Sequence, residues 1–494
     1  MKKKIIVIGA GFGGLAAANR LAAKGHDVTL IDKRDKLGGR GYQYEINGFK
    51  FDGGPTVLTA PYIFEEIFQA AGKKREDYFE LVPLDPFYRL FDDKGNSFDY
   101  CHGYEDMLSE IEKWKARDVK GYAKFVGASR KIFNLFHPYT DQPFLEFKKM
   151  LKIMPGVMKL QGYLSTHLFV SRFIRNDHLR RFFSFHPLLV GGSPFETPAL
   201  YTLIVQFEKE WGVHYAKGGT GAVVAGLGRL FTDIGGKTLL NTEVREILVK
   251  DRKVTGVLLD DGSEEKADII VCNGDVAYSY RNLIDSVHRR KYTDRRIDRM
   301  KYSMSLVVIY FGTKRRYLDS GLAHHNIIFS RRYKGLLKDI VHGDKLPEDF
   351  SLYLHMPTIT DKSIAPDGCE SFYVLSLVPT LRANIIWNDE IEPYKQKIYQ
   401  YLETNYLPDL RSNIIAEHHI DPIHFRDTLN SHLGAAFSLR PSLLQSGYFR
   451  PHNRSEEFDN LYFVGAGTHP GAGVPAVLSS GKIAAELIDP SPQQ

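Results

Sequence analysis

The sequence predicts an α/β protein in which a Rossmann-like nucleotide-binding domain is interleaved with an α+β domain. Three observations predict it. A glycine turn joins a short β-rich run to an Ala/Leu-rich helix at the N-terminus; β character returns at 238–272 and again at Leu461; and a helical, aromatic stretch separates these pieces.

Lys4 to Ile8 has strand composition, Phe12 to Lys24 has helical spacing, and Val28 to Ile31 forms a second strand ending at Asp32. Together they make a βαβ unit of about thirty residues. From 76 to 215 the pattern is mostly helical, with helices predicted at Tyr104 to Trp114 and Gly121 to Phe136. Leu239 to Val249 reads as one strand, followed by Val254 to Leu259 and Asp268 to Cys272. Ser303 to Phe311, Phe350 to His355 and Ser371 to Leu377 are expected to build one antiparallel sheet facing a ligand. These boundaries give one domain from 1–75, 216–300 and 440–494, and a second from 76–215 and 301–439.

At 494 residues, with 43% hydrophobic and 25% charged residues, the chain is long and apolar enough for two cores and a cavity. Three dispersed cysteines without CxxC spacing exclude a disulfide framework or a structural zinc, and no metal site is expected. The opening Met-Lys-Lys-Lys and the apolar residues to Asn19 mimic a secretory signal, yet cleavage near Ala22 would delete the first strand and its glycine turn. A net charge of +6 with no recognition motif gives no reason to expect a nucleic-acid partner.

Gly9, Gly11 and Gly14 match G-x-G-x-x-G, with Gly13 inside it. The first glycine allows the tight turn, the second lets backbone approach a pyrophosphate, and the third packs helix on strand. The helix N-terminus then offers free N–H groups to phosphate. Asp32, beside Lys33, suits a ribose diol and would repel a 2′-phosphate, which leaves FAD or NAD. Gly38-Gly39-Arg40 adds a second glycine turn with a guanidinium able to grip phosphate. Asp52-Gly-Gly-Pro-Thr56, containing Gly54 and Pro55, is another tight turn. Gly465-Ala-Gly467 through Gly473-Val474-Pro475 again follows a strand and opens a helix, a place for the electron-rich edge of a flavin.

With these motifs in place, the chain resembles the bacterial-type phytoene desaturases, in the amine-oxidase-like flavoprotein superfamily that also contains GDP-dissociation inhibitors. The resemblance spans nearly the whole length. It includes Phe51 to Val57, Pro86 to Leu90, Phe185 to Gly192, Glu210-Trp-Gly212, Gly218 to Gly221, Ser351 to His355, Phe449 to Arg454 and Val464 to Gly473. It implies FAD as cofactor and stepwise introduction of C=C bonds into phytoene, through to lycopene, in carotenoid biosynthesis. It also implies that Val244 and the Asn273-Gly-Asp275 segment lie near the adenine half of FAD. Relatives usually carry Glu where this chain has Asp32, a shorter acid serving the same diol. A carotenoid isomerase, a diapophytoene-type desaturase and a non-redox prenyl-binding protein are the alternatives.

Desaturation needs a hydride acceptor and a proton acceptor. His186, Glu208 and His469 stand beside the resembling segments, but spacing alone assigns no catalytic base. Residues 144–181 carry eight cations, among them Lys148, Lys149 and Lys152, against two acids, interleaved with large apolar residues. That pattern fits an interfacial segment on an anionic membrane surface. A cytoplasmic protein bound peripherally to the inner face of the membrane is expected, with quinone or oxygen as electron acceptor. Arg289 to Lys301 reads as a solvated basic helix.

Overall fold

The structure is a computed structural model describing residues 1–491. Its first layer is a five-stranded parallel sheet in the order Leu461–Phe463, Ile269–Cys272, Lys4–Ile8, Asp27–Ile31, Lys237–Leu239. Ile5 and Val7 face the helices Phe12–Ala23, Thr220–Asp233 and Val474–Ile488. Ile6 and Ile8 face a three-stranded antiparallel meander of Val244–Lys250, Lys253–Leu259 and Glu264–Lys266. A sheet covered on both sides explains why the first strand is apolar without alternation.

The second layer is a seven-stranded sheet in the order Ile414–Ile420, Ser305–Thr313, Glu370–Val378, Leu352–His355, His325–Ile328, Tyr88–Phe91, Ser97–Tyr100. All pairs are antiparallel except His325–Ile328 with Tyr88–Phe91. Ser305–Thr313 is buried throughout because both faces are covered. Val307, Ile309 and Phe311 pack on the helix Trp387–Asn405, whereas Leu306, Val308 and Tyr310 face the other way into the largest apolar cluster. Helices at Tyr104–Lys115, Val119–Phe136, Phe147–Lys159 and Leu203–Trp211 close that side.

The α/β class and the strands predicted at its motifs agree with this architecture, and three local expectations need correction. Leu239 to Val249 is two strands, because Asn241 takes a left-handed conformation, φ 51°, between them. The three sheet segments are neighbours as expected, but they belong to a wider, mixed sheet. Arg289 to Lys301 is not a solvated helix. Only Asp294–Arg299 is helical, Arg289 is buried with its guanidinium on Asp294 and the Tyr292 carbonyl, and Tyr292 stacks on Tyr280 at 4.2 Å.

Gly14 shows what the N-terminal motif demands. A Cβ there would stand 2.0 Å from the Gly9 carbonyl oxygen, a backbone atom that cannot move aside. Gly14→Ala is therefore expected to destabilise the cofactor-free protein by about 3 kcal/mol. Gly127 lies inside the helix Val119–Phe136 with no atom within 4 Å of an added Cβ, so Gly127→Ala is expected to stabilise by about 0.5–1 kcal/mol. Chemical denaturation of the two variants against the parent checks both signs.

Candidate active site

The C-terminal ends of the parallel strands open onto a cavity of about 590 Å³ whose far wall is the seven-stranded sheet. This is where open α/β sheets bind ligands. The cavity lining includes Gly9, Gly11, Gly13, Asp32, Lys33, Gly39, Arg40, Gly54, Pro55, Thr56, Val244, Asn273, Asp275, Gly465, Gly467, Gly473 and Val474. Gly14 alone of the predicted residues lies behind the wall, packing helix against strand.

Asn273 joins the pieces. Its Nδ2 donates to the Gly9 carbonyl at 3.1 Å and its backbone N donates to the Ile8 carbonyl at 2.8 Å. A Cβ on Gly13 would lie 2.6 Å from Asn273 Oδ1 and 2.9 Å from the Gly465 nitrogen. Two helices, Phe12–Ala23 and Val474–Ile488, begin at this point with Gly11 and Gly473 as N-caps and no side-chain cap on either. Apart from Pro475, which has none, their first N–H groups are left free for a ligand.

The charged residues are held in place by other bonds. Asp32 accepts from the Ala10 and Arg34 backbone nitrogens at 2.7 and 2.9 Å, which fixes its carboxylate at the strand end with lone pairs to spare. Lys33 donates to the Asp427 carbonyl and Asn430 Oδ1, tying the cavity rim to the 427–430 loop. Asp275 caps the helix Val276–Asn282 through the Ala277 and Tyr278 nitrogens. Arg40 has one hydrogen-bonded side-chain partner, Ser431 Oγ at 2.6 Å, and its Nε has none. Burial lowers its pKa, opposed by the charge of Asp275. A cation so poorly paired at a cavity wall fits an anionic ligand group.

Of the three conceivable bases, Glu208 and His469 line the cavity and His186 does not. Glu208 is wholly buried, with one oxygen on the Tyr88 hydroxyl at 2.7 Å and the other on His186 Nε2 at 3.0 Å. His469 Nε2 faces the Tyr139 carbonyl at 2.8 Å, and burial pushes its pKa down to about 4. Sequence reasoning missed Arg450, a fully buried guanidinium that donates to the Ala466, Leu439 and Gln445 carbonyls and shapes the C-terminal glycine turn. It also missed Tyr353 and Tyr373 on the sheet wall, which bond to the predicted Thr56, and the buried His325 behind Tyr353. The Phe449 to Arg454 and Ser351 to His355 motifs were the available signal for both.

The flavin containing amine oxidoreductase family matches this chain over residues 12–489. The chain belongs to that family. It is 46% identical over 488 residues to the phytoene desaturase (lycopene-forming) of Pseudescherichia vulneris, covering 98% of this chain and 99% of that one. It is 45% identical, over the same shares, to the phytoene desaturase (lycopene-forming) of Pantoea ananas. Among solved structures, an oxidoreductase from Methanosarcina mazei shares the fold with a TM-score of 0.68 at 17% identity, covering 97% of this chain and 98% of that one. The family's cofactor chemistry is that of FAD, and the cradle fits it. The uncapped N-terminus of Phe12–Ala23 and the under-paired Arg40 suit a pyrophosphate, the uncapped N-terminus of Val474–Ile488 suits an electron-rich flavin edge, and Asp32 suits a diol.

Arg40→Met tests the fit without an activity assay. FAD affinity is expected to fall about 10- to 100-fold with loss of one charge-assisted contact. The cofactor-free protein should melt no lower than the parent, because an under-paired buried cation is removed. Titration of FAD by flavin fluorescence and a thermal melt read the two effects separately.

Proposed function

We propose that this chain is an FAD-dependent phytoene desaturase that introduces C=C bonds stepwise to form lycopene. The observation that carries this is the 46% and 45% identity, over 98% of the chain, to two lycopene-forming phytoene desaturases. Residues 1–75, 216–300 and 440–494 form the FAD-binding domain in this proposal, supported by the origin of the parallel strands. Residues 76–215 and 301–439 form the substrate-binding domain.

When bound, FAD supplies the two-electron oxidation. Gly9, Gly11, Gly13 and the helix N-terminus behind them would hold its pyrophosphate together with Arg40. Asp32 and Lys33 would take the ribose, and Val244, Asn273 and Asp275 the adenine side. Gly39, Gly54, Pro55, Thr56, Gly465, Gly467, Gly473 and Val474 would form the remaining walls, with Gly14 keeping the turn tight. For the hydrocarbon, Leu306, Val308, Leu375 and Leu377 present an apolar surface from alternate strand positions. Burying each CH₂ there contributes about 0.8 kcal/mol, so affinity needs no polar anchor. The same walls exclude water from the reacting carbons.

A membrane surface is the second partner. The helix Phe147–Lys159 exposes Phe147, Leu151, Met154 and Met158 beside Lys148, Lys152 and Lys159, and Phe147 touches Phe449 and Tyr448 of a second exposed segment. Met150 of that helix and Leu443 of that segment line the cavity, so the apolar patch stands next to the substrate space. Other apolar residues of 144–181, Ile153, Val157, Phe169 and Ile174, are buried in the protein, whereas Tyr163 and Leu168 beyond the first helix stay exposed and extend the apolar patch. Among the described residues, no helix is long and apolar enough to cross a membrane. The protein would sit on the cytoplasmic face and pass its electrons to quinone or oxygen.

Incubating the FAD-loaded protein with phytoene in liposomes should give products absorbing at progressively longer wavelength, ending at lycopene; isomers with an unchanged hydrogen count would overturn the assignment. The triple variant Lys148→Glu, Lys149→Glu, Lys152→Glu should bind anionic vesicles at least about 100-fold more weakly while retaining its flavin. Co-sedimentation with the vesicles measures it.

A further inference from the structure

From Thr56 at the cofactor wall, a row of polar groups passes through Tyr353 and Tyr373 on the cavity lining to three histidines buried behind them. Thr56 Oγ1 lies 2.8 Å from the Tyr353 hydroxyl and 2.7 Å from that of Tyr373. Tyr353 Oη lies 2.7 Å from His325 Nδ1. Next come His355 and His324, whose Nε2 atoms are 3.0 Å apart, and His324 Nδ1 lies 2.7 Å from the Thr360 hydroxyl. The His325 and His355 rings stack at 5.2 Å, and one ring nitrogen from each of the three histidines lies within 4.8 Å of the others. Thr360 is half-buried beside the exposed Ile359, outside the cavity lining. Polar groups thus run from the cavity wall to the surface through a buried core.

Burial keeps all three imidazoles neutral, with His324 pushed down to about 3. No carboxylate bonds to any of the rings. Asp361, the acid whose charge reaches His324, is committed to the Gly218 and Ser363 nitrogens and to Tyr215. A divalent cation among the rings would therefore be uncompensated in a low-dielectric site. The arrangement suits transfer of one proton better than storage of charge. His325 Nε2 has no hydrogen-bond partner and its ring meets His355 only by stacking, so the proton crosses between these two rings when one of them turns.

Resting on the desaturase assignment, we propose that Tyr353, backed by His325, takes the proton released in each desaturation and that His355, His324 and Thr360 carry it outward. Bound FAD would supply the two-electron oxidation that removes a hydride from one substrate carbon. The neighbouring C–H bond then breaks, its electron pair closes the new double bond, and its proton moves to Tyr353 Oη as the hydroxyl proton moves to His325 Nδ1. A C–H beside a cationic carbon is a far stronger acid than an imidazolium, so a weakly basic histidine suffices, and it does not retain the proton. Glu208 is less accessible to the substrate, being 0% exposed and held by Tyr88 and His186. Tyr353 lines the cavity and is partly accessible.

The test uses FAD-loaded protein in phytoene liposomes. Tyr353→Phe removes one oxygen and should slow product formation at least about 100-fold with flavin content and melting temperature retained. The parent should be slower in D₂O by about twofold or more, an effect lost in Tyr353→Phe. His325→Ala should be similarly slow and be restored by imidazole but not by pyrazole, a ring of the same size that is scarcely basic. Thr360→Val, far from the cavity, should leave the first turnover intact and slow later ones. The relay is overturned if Tyr353→Phe stays within about twofold of the parent, if pyrazole rescues as well as imidazole, or if the parent carries a stoichiometric metal. A flavin-loaded parent that makes no desaturated product would instead overturn the desaturase assignment, and the relay with it.

Discussion

The close approach of backbone to backbone around Asn273 is the constraint on which the rest of the structure depends. Gly9 and Gly13 from the N-terminal turn and Gly465 from the far end of the chain all meet this one side chain, which stands where the strand Ile269–Cys272 ends. A methyl group on Gly13 or Gly465 would overlap the Asn273 amide, and Gly9 takes φ 92°, so the three distant pieces close only as glycines. Closure brings the two uncapped helix N-termini to one mouth. The anion-binding character of the site is thus a result of packing.

Charge is placed at the cost of stability. Arg40 at the cavity wall and Arg450 deep in the protein each have an unpartnered Nε, and neither has a carboxylate hydrogen-bonded to it. Buried cations of this kind destabilise a fold unless carbonyls or a bound anion offset them. Arg450 has its carbonyls and acts as a structural clamp on the 465–475 turn. Arg40 lacks such a set, and that difference separates a residue that shapes the site from one that waits for a ligand.

The opposite wall follows from strand periodicity. Side chains alternate across the seven-stranded sheet, so Leu306, Val308, Tyr353, Tyr373, Leu375 and Leu377 reach the cavity while their neighbours pack on the helix Trp387–Asn405. An apolar surface interrupted by the Tyr353 and Tyr373 hydroxyls, with imidazoles behind them, can hold a hydrocarbon and offer it a polar group. On the outer side, the helix Phe147–Lys159 uses the same economy. One face contributes Met150 to the cavity and another leaves Phe147 and Leu151 exposed among lysines.

The sequence by itself determined the α/β class, the N-terminal βαβ unit, the glycine turns with Asp32 and Arg40, and the family resemblance. Each depends on residues near one another in the chain, where local periodicity and turn chemistry decide the conformation. It misjudged Arg289 to Lys301, because a basic run reads as solvated until Tyr292 is seen stacked on Tyr280. It could not reveal that His324, His325 and His355 meet Tyr353, that Glu208 is sealed by Tyr88 and His186, or that Asn273 lies beneath two glycine turns. Those relations join residues tens to hundreds of positions apart, and only sheet register and helix packing bring them within hydrogen-bonding distance.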